Sequence, residues 1–163
     1  MSTIKVDTIT DRSGSSIPYM TGAVLQVLQT VKTDVFSTTT DGFVDITGLT
    51  VSITPKSTNS KVMVEVHIGT HDANAASGIV YKLRRGSTDI GLGTGGGIAS
   101  TFATTINADR GEGISMKFLD NPQTTSATTY GLQIQGFGNT VDINKRATLY
   151  STISTITVME IGG

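Results

Sequence analysis

The stretch Phe43–Gly69, FVDITGLTVSITPKSTNSKVMVEVHIG, decides the fold class. From Lys61 onward it alternates: Val62, Val64, Val66 and Ile68 point one way, and Lys61, Met63, Glu65 and His67 the other. A period of two sets one apolar row on a core and leaves the other wetter, the pattern of a half-buried strand. Leu49–Thr54 is a second β-rich run. Pro55 removes a backbone donor and stops it, and Lys56-Ser57-Thr58-Asn59-Ser60 supplies turn chemistry. The spacing predicts a hairpin, with the strands that follow laid beside it.

Composition extends the same reading to the whole chain. Among 163 residues there are 28 Thr and 19 Gly, while charged residues make up only 15%. Thr is β-branched and suits a pleated surface, and Gly serves turns, so the balance points to an all-β protein rich in turns. A chain of this length suggests one domain that can fold without a disulfide or metal. It has no cysteine, which favours a bacterial or viral protein made in a reducing cytoplasm. The net charge of -1 is interspersed, so neither a nucleic-acid footprint nor a membrane-surface patch is implied. No apolar run reaches transmembrane length, and Met1-Ser2-Thr3-Ile4-Lys5 does not open as a secretion signal.

Outward from the deciding stretch, residues 1–21 differ from the rest. Ile4, Val6 and Ile9 give a short extended apolar pattern, Asp11–Ser16 breaks it, and Pro18 hinders re-entry into a ladder. This reads either as an arm that docks elsewhere or as a disordered terminus. Ala23–Val31 is a strand apolar on both faces, as is Ser154–Ile161 at the other end. Between them, strands are expected at Ile79–Arg85, Thr88–Ile90, Glu112–Leu119, Tyr130–Gln135 and Ala147–Tyr150. His71–Gly78 and Gly91–Gly97 read as loops, Val141–Arg146 as a turn and Arg84-Arg85 as a solvated strand end. About eight strands at spacings of about 10–15 residues, with no amphipathic helix, predict an antiparallel jelly-roll-like sandwich over residues 22–163. Terminal strands apolar on both faces suggest sister subunits covering the outer side of a sheet. The interface candidates are Val24, Leu25, Val27, Leu28, Ile156, Val158, Met159 and Ile161.

Catalytic constellations are scarce. Gly91-Leu92-Gly93-Thr94-Gly95-Gly96 matches G-x-G-x-x-G in letters, but that motif has meaning only where a helix N-terminus follows to receive phosphate. His67 and His71, with Asp72 adjacent, are four apart on a strand and its exit. A metal could be held there where symmetry-related copies each contribute a ligand, although His67 as a polar-face residue is the plainer account. No cofactor, metal or active site is assigned. Tyr19, Tyr81 and Tyr150 could stack on sugars, but a chain without Trp makes a poor lectin platform.

Ser2-Thr3-Ile4-Lys5-Val6-Asp7-Thr8-Ile9-Thr10-Asp11 followed by Ser13-Gly14-Ser15 resembles the opening of small virion structural proteins of marine and cyanobacterial tailed phages. Gly22–Val27, Phe43–Leu49, Ser60-Lys61-Val62, Asp120-Asn121-Pro122 and Ser154–Ile161 resemble pieces of that group's jelly-roll domains. The resemblance implies a homotrimer without enzymatic activity on the virion surface. The implied type is tail fibre or adhesin; the alternatives are a capsid decoration protein and a free carbohydrate-binding jelly roll. Its partners would be other phage structural proteins and a host glycan or protein, with neither nucleic acid nor membrane insertion. Ile4, Val6, Ile9 and Pro18 would anchor the arm. Loops around Ala73, Asn74, Gly93 and Gly95 would face the host.

Overall fold

The computed structural model describes residues 21–163 apart from Gly96, Asp109 and Ala147, so the arm candidates Ile4, Val6, Ile9 and Pro18 lie outside the described residues. Thirteen strands follow in order among them: β1 (Val24–Lys32), β2 (Phe36–Thr38), β3 (Val44–Ile53), β4 (Lys61–Ala73), β5 (Ser77–Arg85), β6 (Thr88–Ile90), β7 (Phe102–Ile106), β8 (Glu112–Asp120), β9 (Thr128–Gln135), β10 (Val141–Ile143), β11 (Lys145–Arg146), β12 (Tyr150–Ser151) and β13 (Ser154–Ile161). The protein is an antiparallel, jelly-roll-like sandwich of two main sheets. In the first, β1-β13-β4 run side by side with β8 on the far side of β4, and β10-β2 continue from the end of β4. The second is β3-β9-β5, with β6 and β7 placed end to end along β5.

The hairpin expected over Phe43–Gly69 does not form. β3 pairs with β9 in the second sheet, and β4 pairs with β13, β8 and β10 in the first. The segment from Thr54 to Ser60, with Pro55 buried, crosses from one sheet to the other. Period two tells which side chains face the core, and two such rows are buried equally well opposite one another as side by side. Here they lie opposite: Ile46, Leu49, Val51 and Ile53 of β3 join Val62, Val64, Val66 and Ile68 of β4 in one cluster with Tyr81, Leu83, Tyr130, Leu132, Ile134, Ile156 and Val158.

Two irregularities keep apolar residues pointing inward. In β3 the register against β9 shifts between Asp45 and Thr50, and Gly48 takes φ 81°, so that Ile46 and Leu49, three apart, both reach the core. In β4 the register against β8 shifts between Ile68 and His71. Val141–Ile143, read from sequence as a turn, is a short strand between β4 and β2, with Val141 and Ile143 fully buried.

Polar side chains tie the sheets together. Asp120 of β8, almost buried, accepts from Arg85 Nη1 at 2.9 Å and from the Tyr130 hydroxyl at 2.7 Å, joining the first sheet to β5 and β9 of the second. Arg84 donates to Asp89 at 2.7 Å and to Gln133 at 3.2 Å. The Arg84-Arg85 pair is therefore half-buried and engaged, not a solvated strand end, because each guanidinium finds a carboxylate that burial would otherwise leave uncompensated.

Candidate interaction surface

The outer face of β1-β13-β4-β8 is built in rows by strand register. Val27, Met159, Met63 and Leu119 stand abreast, one per strand. On one side of this row lie Val24, Ile161 and Lys61; on the other lie Gln29, Thr157, Glu65 and Lys117. The second flanking row is internally bonded, by Gln29 Nε2 to Thr157 Oγ1 at 2.8 Å and by the Lys117–Glu65 ion pair at 3.1 Å. Beyond it come Val31, Thr155, His67 and Ser115, with His67 Nδ1 and Ser115 Oγ 3.0 Å apart. Val24 is 55% exposed, Val27 54% and Leu119 44%, while Met63, Met159 and Ile161 are half-covered. A chain with a large buried apolar core has nonetheless placed an apolar row across the outside of one sheet.

The interface residues expected from sequence therefore divide. Val24, Val27, Met159 and Ile161 face outward, and Leu25 sits half-buried in the shift between Val24 and Gln26. Ile156 and Val158 are fully buried in the sandwich core and take no part in any surface, since they alternate with the outward residues of β13. Leu28 points to the core side of the edge strand and is 38% exposed there. Met63 and Leu119, which share the outward row, are legible only once the register is known.

The expected binding loops do not form one surface. Ala73 is buried at the end of β4, because that strand runs four residues beyond Gly69; Asn74 is exposed, its Oδ1 accepting from the Thr140 backbone N–H at 3.0 Å. Gly93 and Gly95 are exposed in the connection between β6 and β7, which springs from the middle of the β5 edge, where the Thr101 N–H donates to the Tyr81 carbonyl. With β7 covering Ser77–Tyr81, the two loops leave β5 at different points along the strand. No helix follows Gly95 among the described residues, so nothing presents a helix N-terminus to phosphate.

The histidines also part company. His67 is outward, but the shift in β4 turns His71 inward, where it is completely buried with its ring centroid 6.0 Å from that of Tyr81. Among the described residues neither ring nitrogen of His71 nor the Tyr81 hydroxyl has a hydrogen-bond partner. Burial holds the His71 pKa below 6.5, against the opposing pull of Glu112 and Asp72. Burial likewise pushes the Tyr81 phenol up. Tyr81 is thus no stacking platform; Tyr150 is 46% exposed, and Tyr19 lies outside the described residues. Among the described residues no three His, Asp or Glu side chains gather to hold an ion.

Glu160 is fully buried, yet burial, which opposes its charge, is outweighed by hydrogen bonds from Gln26 Nε2 and the Lys56 N–H, and its pKa falls below the usual value. Elsewhere an open hollow of about 390 Å³ is lined by Val35, Lys145, Thr148, Leu149, Tyr150 and Ser151, a mixed polar and apolar surface.

No protein-family model matches this sequence, and no curated protein matches it. Among solved structures, one of infectious bursal disease virus, Gx strain, superposes with a TM-score of 0.38 at 13% identity, over 98% of this chain and 42% of that one. The present chain thus spans less than half the length of its neighbour. A likeness of that degree bears on neither the function nor the assembly of this protein.

Proposed function

We propose that this protein is a non-enzymatic structural component of a bacteriophage particle. It is displayed on the virion surface as a homo-oligomer of tail-fibre or adhesin type and fastened through residues 1–21. The observation that carries this reading is the apolar row on the outside of a sandwich that already buries a core of its own. Such a row is stabilised by covering it, and a protein made in many copies on one particle has its covering partner at hand. The resemblance of the first residues to virion structural proteins supplies the setting. Asp120, Asp89 and Glu160 are each held by neighbouring donors within the fold, which fits a structural part for these carboxylates.

The deciding experiment locates the protein on purified particles by antibody labelling, with copy number from quantitative mass spectrometry. Labelling confined to the tail is expected, and the exposed Gly93–Gly95 connection is then the segment to test against host cells. Labelling spread over the whole shell replaces the adhesin reading with capsid decoration. Absence from particles overturns both.

A further inference from the structure

The outer face of β1-β13-β4-β8 carries charges as well as its apolar row, and their placement is self-complementary. Lys61 and Glu65 lie on β4 two residues before and two after Met63, all three outward. We infer that two copies of this chain pack face to face through this surface, about a two-fold axis running across the strands along the Val27–Met159–Met63–Leu119 row.

That operation keeps each strand position and reverses strand direction, so each apolar row lies on its counterpart. Lys61 of each copy then meets Glu65 of the other, twice per dimer. The Glu65 carboxylate comes to sit between Lys117 of its own chain, at 3.1 Å, and Lys61 of the other. A two-fold axis parallel to the strands, placed between β13 and β4, would instead set Lys61 over Ile161 and Glu65 over Thr157, leaving Lys61 unmet and Glu65 with only its own Lys117. Charge complementarity selects the first arrangement. Size permits it: four strands about 4.8 Å apart and about 27 Å long offer roughly 500 Å² a side, about 1,000 Å² in all, the lower bound for a specific contact. The inference rests on the proposed self-assembly but names its contact. It calls for a two-fold association where the family resemblance implies a three-fold one.

The test is sedimentation velocity and light scattering on the full chain at micromolar concentration. The expected result is a dimer that Met63→Glu converts to a monomer that still unfolds in one cooperative transition, its melting temperature lowered only by the lost association, since the side chain lies outside the core. Lys61→Glu and Glu65→Lys should each weaken association about tenfold, and the double variant Lys61→Glu/Glu65→Lys should recover most of it, because the swapped charges meet again. A wild-type monomer, a trimer, or a double variant no better than either single one overturns the proposal. Particle location is read separately. A monomer found on virions sinks the two-fold contact and the self-association but leaves the particle role standing, and a dimer absent from virions does the reverse.

Discussion

Asn144 is fully buried and left-handed, at φ 64°, and every polar atom it has is used. Its Nδ2 donates to the carbonyls of Lys32 at 2.9 Å and Asp34 at 3.1 Å, its Oδ1 accepts from Ser154 Oγ at 2.6 Å, and its backbone bonds Thr70 and Thr152. One side chain therefore joins the end of β1 to the start of β13. Asn144→Gly keeps the backbone conformation and strands those partners, so urea unfolding should show a loss of about 2–4 kcal/mol. A loss within experimental error would mean that the partners find other bonds. His71 gives a prediction in pH. Its pKa is 6.5 when free and lower in the fold, so as pH falls the unfolded chain takes up the proton first. Its contribution to stability is fully present above pH 6.5 and is lost as pH falls from there to the lowered folded value. The groups around it are Glu112 across the strand, Asp72 beside it and Tyr81 opposite. His71→Phe should flatten the stability profile below about pH 6.5. A profile as steep as that of the wild type would place the slope elsewhere.

At the scale of the element, β4 decides most. Its thirteen residues pair with β13 over the first half and with β10 at the end, and the shift between Ile68 and His71 allows the change. Without it His67 and His71 would share a face, as the spacing in the sequence suggests. Gly69 sits in the shift, where an added Cβ would run into the Ile153 carbonyl and the Thr152 side chain. A backbone oxygen cannot step aside as a side chain can, so Gly69→Ala should cost about 2–3 kcal/mol and lower the melting temperature. An unchanged melting temperature would show that the β13 approach is loose.

At the scale of the molecule, the described body closes on itself just after residue 21. The Gly22 N–H donates to the Gly162 carbonyl at 2.7 Å, and the Gly162 N–H to Ala23 at 2.8 Å. Deleting residues 1–20 should therefore leave the melting temperature within about 2 °C of the full chain while abolishing incorporation into particles. A truncated protein that still incorporates would move the anchor into the sandwich.

The fold class was legible because burial on one face imposes period two on every strand long enough to show it: Val62–Ile68, Ile114–Phe118 and Tyr130–Ile134 read correctly for which residues share the inward face. Alternation records a side chain's face and is silent about the strand beside it, so the hairpin between β3 and β4 was a wrong pairing of two correctly read strands. Three-residue strands such as β10 are too short to show a period at all. The candidate surface was half visible: the two-faced character of β1 and β13 marked an outside that needs covering, but Ile156 and Val158 could not be told from Met159 and Ile161 until register fixed the parity. What the sequence by itself determined is the all-β body and its surplus of apolar side chains, since these follow from local sterics and composition. Only the tertiary structure decided that Met63 and Leu119 complete a row with Val27 and Met159, that Lys61 and Glu65 flank it, and that His71 is buried, because each depends on contacts between residues far apart along the chain.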